Sequence, residues 1–139
     1  MKLDRDALIV AFDDNSLERS YYLDRDSGRV FNILEDHHDP ETEEIAWQIE
    51  ADGGRRFIQI PKLSMEEMMQ EQDSFLESLE DGELKTAIAV VLESDPDGSG
   101  FDEFIHRRRD AREKWRAYIK VRSGERADRW IESIGIWTT

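Results

Sequence analysis

The segment that most resembles a known chemical site is residues 95–100, which read Asp-Pro-Asp-Gly-Ser-Gly. Oxygen-bearing side chains at its first, third and fifth positions, with Gly at the sixth, match the first half of an EF-hand calcium loop. The twelfth position holds His106, where such a loop needs a bidentate Glu. We therefore favour a helix connection, in which Asp and Ser side chains act as caps and glycine permits the turn.

A second group of metal-ligating residue types is Asp36-His37-His38-Asp39, which stands directly before Pro40. Imidazole and carboxylate groups suit a divalent ion, and the order resembles the Asp-His-His signature of metal-dependent phosphoesterases. Those enzymes also need further Asp motifs and a larger parallel α/β fold, and this chain offers neither. We expect a solvated loop with no metal, and we keep a metal-dependent hydrolase at His37 and His38 as the second alternative function.

No complete catalytic set is visible in the sequence. The chain has no Cys, which excludes thiolate nucleophiles and thiolate zinc sites, and it has no serine elbow, phosphate-binding glycine loop or nucleotide fingerprint. Its many carboxylates permit acid/base pairs without identifying one. We predict no catalytic residue and no cofactor, and we favour a binding protein over an enzyme.

The best surface feature is a basic helix over residues 101–122. At helical spacing, Arg109, Arg112, Arg116 and Lys120 form one stripe, which is suited to phosphates or to an acidic partner. The competing interpretation is that acids of the same chain pair with these cations. We favour that pairing, because a nucleic-acid-binding module is normally basic as a whole.

The charge of the chain is unevenly distributed. Its 33 acidic and 19 basic residues give a net charge of −14, which repels nucleic acid and anionic lipid at long range. Residues 1–104 hold 28 acids and 9 bases, whereas residues 105–139 hold 5 acids and 10 bases. An anionic partner would therefore have to contact the last quarter of the chain.

Four tryptophans are candidates for stacking or anchoring. Trp47, Trp115 and Trp130 occupy periodic apolar positions, which predicts that they pack in a core. Trp137 lies near the last residue, where it either packs the tail onto the body or anchors a partner. It is the remaining weak candidate for a binding residue.

The first part of the chain predicts one helix and two hairpins. Residues 3–12 have a helical pattern, and two strand-like runs at 20–24 and 29–34 flank a turn that contains Gly28. Residues 35–44 read as an exposed loop. A second hairpin is then predicted from Ile45, Trp47 and Ile49, which alternate with polar residues, and from the apolar run that begins at Phe57. With no helix between them, these strands predict an antiparallel sheet.

The sequence changes to helical periodicity after Pro61. Ser64 and Glu67 form a possible capping box at the start of a helix. Breaks are expected at Asp81-Gly82, at residues 94–100 and at Ser123-Gly124. The order of elements predicts an α+β fold, with an antiparallel sheet of three or four strands in the N-terminal half and four or five helices mostly in the C-terminal half.

Size and composition predict a single domain over residues 1–139. Absence of Cys suits a reducing compartment, and an acidic start without a long apolar run does not resemble a signal peptide. No segment approaches the length of apolar chain that a membrane span requires. We expect a cytoplasmic protein with no membrane association, present as a monomer or a weak homodimer.

Several short motifs occur along the chain in a recognisable order. They are Tyr21-Tyr22-Leu23-Asp24, Phe57-Ile58-x-Ile60-Pro61, Phe75-Leu76-Glu77-Ser78-Leu79-Glu80-Asp81, Phe101-x-x-Phe104, Trp115-x-x-Tyr118 and Ala127-x-x-Trp130-Ile131. Together they resemble an uncharacterised bacterial protein family, one of the numbered UPF families of unknown function, over nearly the whole chain. The resemblance implies a small cytosolic bacterial protein, a helix connection at residues 95–100 and a loop of variable sequence at residues 36–40. It supplies no activity and no catalytic residue.

These observations lead to three functional hypotheses. The first is a non-enzymatic cytosolic interaction or regulatory protein with an unidentified protein partner. The alternative is binding of nucleic acid or a phosphate ligand through Arg109, Arg112, Arg116 and Lys120. The metal-dependent hydrolase is third.

Overall fold

A computed structural model describes residues 3–36, 39–95 and 99–135. In these ranges the elements, in chain order, are α1 (Arg5–Asp13), β1 (Arg19–Asp24), β2 (Val30–Leu34), α2 (Pro40–Asp52), β3 (Phe57–Gln59), α3 (Met65–Ser78), α4 (Glu83–Ser94), α5 (Ser99–Arg107) and α6 (Arg109–Ser133). The α+β class is confirmed. The three strands form one antiparallel sheet, and most of the helices follow it.

The sheet has the order β2-β1-β3, so that β1 is its central strand. Tyr22 of β1 lies opposite Phe31 of β2 on one side and Gln59 of β3 on the other. The first predicted hairpin is therefore confirmed. Its turn is closed by Asp24, whose carboxylate accepts hydrogen bonds from the Ser27 hydroxyl at 2.8 Å and from a backbone amide of the turn.

The two faces of the sheet have different surroundings, because successive side chains of a strand point to opposite faces. The inner face carries Tyr21 and Leu23, which are buried in a cluster with Leu8 of α1 and Ala127 of α6. The opposite face, which we call the outer face, carries Tyr22 and its neighbours on the other two strands. Helix α2 lies on this side, and the two together line a cleft described below.

The second predicted hairpin is wrong in its first strand, because residues 40–52 form helix α2. Asp39 is the N-cap and accepts a hydrogen bond from the Thr42 amide at 2.8 Å, and Pro40 occupies the first turn, where its missing N–H costs nothing. Ile45 and Ile49 are one helical turn apart, so they share a face as well in a helix as in a strand. The period-two pattern alone did not distinguish the two structures.

The same error misplaced Trp47, which was predicted to pack in a core. On helix α2 it lies away from the side that carries Ile45 and Ile49, and 69% of its surface is exposed. Trp115 and Trp130, in contrast, pack against buried clusters as predicted. Trp137 lies outside the described residues.

The chain divides into two compact units. Unit 1 comprises Met1–Lys62 and Ser123–Thr139, and unit 2 comprises Leu63–Arg122. Each has its own cluster of buried apolar side chains: Leu8, Ala11, Phe12, Tyr21, Leu23, Ile60, Ala127 and Ile131 in unit 1, and Phe75, Ile88, Phe101, Ile105 and Ala111 in unit 2. Whether the units behave as a single domain over residues 1–139 stays a prediction.

Unit 2 is organised around the aromatic ring of Phe75 on α3. Edge-to-face contacts join this ring to Phe101 at 6.3 Å and to Trp115 at 5.1 Å between ring centroids. The predicted capping box at the start of α3 is confirmed, because Ser64 and Glu67 each accept the other's backbone N–H. Periodicity and capping residues therefore located this helix correctly.

The predicted break at Ser123-Gly124 is wrong, because α6 is continuous over 25 residues. Both residues are buried, and a Cβ at Gly124 would lie 3.6 Å from Arg5 Nη2 and 3.8 Å from the Cδ1 atom of Ile9 on α1. The small side chains thus serve close packing and do not end the helix. The predicted helix over residues 101–122 is instead divided at Arg108, between α5 and α6.

Helix α6 is also the longest helix in the described ranges, and it is highly charged. Neither it nor any other described helix combines the length and the apolar character needed to cross a bilayer.

Candidate functional site

All four residues of the predicted basic stripe lie on the first half of α6, within unit 2. We keep the term basic stripe for Arg109, Arg112, Arg116 and Lys120. Spacings of three and four residues place them along one side of the helix, as the sequence predicted. Arg109, Arg116 and Lys120 are exposed, and Arg112 is half-buried.

Two members of the basic stripe have partners within the chain. The Arg109 Nε donates to the Glu113 carboxylate at 3.1 Å, one helical turn further along α6. The Arg112 Nη1 donates to the backbone carbonyl of His106 at 2.9 Å, near the end of α5. For these two residues the favoured interpretation of internal pairing is consistent with the structure.

The arginines that flank the basic stripe are also paired. The Arg108 guanidinium donates hydrogen bonds to the carboxylates of both Glu83 and Asp110, and these bonds raise its pKa. Arg122 donates two hydrogen bonds, at 2.9 and 2.8 Å, to the buried carboxylate of Glu71 on α3. Bidentate pairing of this kind fixes the position of both side chains. These arginines therefore hold unit 2 together.

Arg116 and Lys120 differ from the other two members of the basic stripe. Within residues 3–36, 39–95 and 99–135, neither side chain makes a hydrogen bond or an ion pair. They are one helical turn apart, and the exposed residues Ala117 and Val121 adjoin them on α6. The surface therefore presents two uncompensated cations beside a small apolar strip.

The loop at residues 36–39, which the sequence predicts to be solvated with a metal site as the alternative, has a structural role at one end. His37 and His38 lie outside the described residues. Asp39 is the N-cap of α2, where its carboxylate accepts the Thr42 amide at 2.8 Å and the Thr42 hydroxyl at 2.7 Å. Its oxygens are therefore engaged in starting a helix.

The segment at residues 95–100, for which the sequence favours a helix connection over a calcium loop, is described only at its ends, since residues 96–98 lie outside the described part. Ser99 and Gly100 are the first residues of α5, and the Ser99 hydroxyl donates to the Asp95 carboxylate at 2.9 Å. Among the residues described, no three His, Cys, Asp or Glu side chains are grouped so that they could hold a metal ion.

A feature that the sequence did not predict is a cleft in unit 1, between α2 and the outer face of the sheet. Its volume is about 470 Å³. It is lined by Tyr22, Ile33, Ala46, Ile49, Glu50, Gly54, Phe57 and Gln59. The cleft depends on α2, which was predicted as loop and strand. Asp39 followed by Pro40 was the signal for a helix start.

Two acidic side chains accept hydrogen bonds that hold the end of the cleft near β3. Asp52, the last residue of α2, accepts the backbone amides of Arg56 at 2.7 Å and Phe57 at 3.0 Å, and these bonds lower its pKa. At the end of β1, Asp24 accepts two hydrogen bonds from the Arg56 guanidinium, each at 2.9 Å. That guanidinium is the main reason why the pKa of Asp24 lies well below its usual range.

Comparison with known proteins identifies relatives but no function. The model of UPF0158, an uncharacterised protein family, matches residues 1–137. A UPF0158 protein of Chlamydia trachomatis is 28% identical over 127 residues, and one of Chlamydia pneumoniae is 29% identical over 127 residues. Each match covers 91% of this chain but only 38% and 39% of the respective relative, so the chain spans about two-fifths of their length. No solved structure matches.

Proposed function

The chain belongs to the uncharacterised protein family UPF0158, so we propose its function from its own surface. We propose that it is a non-enzymatic interaction protein. It binds an acidic segment of a partner protein through the basic stripe of α6. The predicted resemblance to a UPF family of unknown function is confirmed by this membership, which assigns no activity. A cytosolic location is part of the proposal.

The observation that carries the proposal is the contrast within one helix surface. Arg109 is paired with Glu113, whereas Arg116 and Lys120 have no partner anywhere in the part of the chain that the structure describes. The chain holds 33 acidic residues, so internal partners are plentiful. Arg116 and Lys120, which lack an internal partner on so acidic a protein, are suited to an external anionic group.

A protein partner fits this surface better than a nucleic acid. Binding to nucleic acid is strong when many phosphates are neutralised, and the stripe offers two uncompensated cations on a chain of net charge −14. Val121, which is 62% exposed, and Ala117 add apolar surface beside the cations. A peptide with alternating acidic and apolar side chains would complement both parts.

The test uses fluorescein-labelled peptides of Glu and Leu, with Gln-for-Glu peptides of the same length, at low and moderate salt. The double variant Arg116→Glu/Lys120→Glu removes the two cations. Lys114→Glu/Arg129→Glu makes the same change in charge at two exposed positions of the same helix and is the matched control. We expect the acidic peptide to bind wild type and the control alike, and to bind the stripe variant at least tenfold more weakly.

Two results would overturn the proposal. Equal weakening by both double variants would mean that net charge alone governs binding, and no binding of the acidic peptide by wild type would remove the stripe as a protein-binding surface. A parallel titration with short DNA and RNA decides the alternative. Salt-sensitive binding to nucleic acid that exceeds peptide binding and is lost in the stripe variant would replace the proposed partner class with nucleic acid.

A further inference from the structure

The cleft of unit 1 has the size and the walls of a small-molecule site. Its volume is about 470 Å³, within the range of roughly 300 to 1,000 Å³ that is usual for such sites. Ile33 and the rings of Tyr22 and Phe57 form the side that belongs to the sheet, and Ala46 and Ile49 of α2 form the other. An aromatic or branched aliphatic group would be in contact with apolar atoms on both sides.

Three polar side chains line the same cleft. They belong to Tyr22 on β1, Glu50 on α2 and Gln59 on β3. As far as the structure describes the chain, none of these side chains makes a hydrogen bond or an ion pair. They offer a hydroxyl, a carboxylate and an amide to a molecule in the cleft.

Glu50 is the acidic side chain in the cleft that a ligand can pair with. The nearby acids Asp24 and Asp52 accept hydrogen bonds from the Arg56 guanidinium and from the backbone amides before β3, respectively. Arg56 is in turn occupied by Asp24 and Asp26. Among the residues that line the cleft, Glu50 is the one charged side chain, and it favours a positively charged group beside it.

We propose that this cleft binds a small organic cation, with its apolar body between α2 and the outer sheet face and its protonated amine beside the Glu50 carboxylate. The Tyr22 hydroxyl and the Gln59 amide provide further hydrogen bonds. The cleft lies in unit 1 and the basic stripe lies in unit 2. The cleft favours a cation and the stripe an anion, so this proposal does not depend on the function proposed for the stripe.

Helix α2 is only partly covered, since none of its 13 residues is fully buried. The turn that follows it contains Gly53 and Gly54, whose φ angles of 66° and 83° are accessible to glycine at low cost.

The experiment uses phenethylamine, 2-phenylethanol and 3-phenylpropionate as probes. Binding of each probe to the intact chain is measured from changes in amide chemical shifts in two-dimensional NMR spectra. The three probes share a ring and differ in charge. We expect phenethylamine to shift amides of α2 and β3. We expect 3-phenylpropionate to bind about fivefold more weakly, which is the effect of one partly exposed charge pair.

Two pairs of variants locate the binding. Ala46→Trp fills the cleft and should abolish the shifts, whereas Ala51→Trp, at an exposed position of the same helix, should leave them unchanged. Glu50→Gln should remove the preference for the amine over the alcohol, and Glu43→Gln, an exposed acid outside the cleft, should not. The Glu50 pair keeps the test valid if Ala46→Trp perturbs the fold.

Other outcomes would contradict the proposal. Shifts that persist in Ala46→Trp, or that are equal for all three probes, would mean that the amine does not occupy this cleft or that Glu50 does not select it. Preferred binding of 3-phenylpropionate would reverse the proposed ligand class. The Arg116→Glu/Lys120→Glu variant should bind phenethylamine as wild type does, so failure of one proposal is distinguishable from failure of the other.

Discussion

Asp24 is the last residue of the central strand β1, and its carboxylate binds both the turn that follows and Arg56, which precedes β3. Its carboxylate is almost fully buried, and it accepts hydrogen bonds from the Arg56 guanidinium, the Ser27 hydroxyl and the Asp26 amide. A buried carboxylate is tolerated only when such donors replace water. From the sequence, an Asp beside a turn is expected to be exposed to solvent. Only the pairing of β3 with β1 showed that Arg56 reaches it.

Replacement of Asp24 by Asn should destabilise the protein by about 2 kcal/mol, because Arg56 loses its anionic hydrogen-bond acceptor. The loss is moderate because the Arg56 side chain is half exposed, so that solvent partly screens the ion pair. Chemical denaturation monitored by circular dichroism measures this change. Asp26→Asn, at an exposed carboxylate of the same turn, is the control and should change stability by less than about 0.5 kcal/mol. Equal effects of the two variants would contradict the role assigned to Asp24.

The same residue predicts a dependence on pH. Because the folded state lowers the pKa of Asp24, its contribution is fully present above the unfolded value of about 3.9 and is lost as the pH falls through the folded value. The difference in stability between wild type and Asp24→Asn should therefore be constant near neutral pH and shrink below about pH 4. A difference that stays constant down to pH 2 would show that the charge is not what matters.

At the scale of elements, α2 and α6 were the least predictable. For α2, alternation of Ile45, Trp47 and Ile49 fits a strand, but positions four apart also share a helix face. Pro40 is compatible with a helix at this place, because proline is favoured in the first turn. For α6, Ser123-Gly124 has the composition of a break, yet tertiary packing against α1 overrides this local preference.

The packing at Gly124 gives a prediction with a definite sign. Gly124→Ala should stabilise the protein by about 0.5–1 kcal/mol, because alanine is the better helix former and its Cβ would make ordinary contacts at 3.6 and 3.8 Å. Thermal denaturation gives the change in melting temperature. Gly135→Ala is the opposing control: φ is 74° there, so the same substitution should destabilise by about 1 kcal/mol. A loss of stability in Gly124→Ala would indicate that the helix is broken in solution.

At the scale of the whole molecule, most of the buried apolar residues in the described ranges belong to two clusters. Helix α6 supplies buried residues to both, with Ala111 in unit 2 and Ala127 and Ile131 in unit 1. Size and composition predict a single domain. Helix α6 continues through the backbone from one unit to the other, and whether the two units unfold cooperatively decides that prediction.

Substitutions in the two clusters test the single domain directly. Leu8→Ala and Phe75→Ala remove side chains that are almost completely buried, and each should cost about 2–5 kcal/mol. If the chain is one cooperative domain, each variant lowers the midpoint of the whole transition, and hydrogen exchange accelerates in both units. Two separate transitions, or exchange that accelerates in the mutated unit alone, would divide the chain into two domains.

The sequence by itself determined the α+β class, the first hairpin, the capped start of α3, the acidic character and the family. These depend on local periodicity, on capping residues and on composition, which are present in short segments of chain. The tertiary structure decided which arginines are paired, where the cleft lies and whether Ser123-Gly124 ends a helix. Those outcomes depend on contacts between residues far apart in sequence, such as Asp24 with Arg56, which no local pattern records.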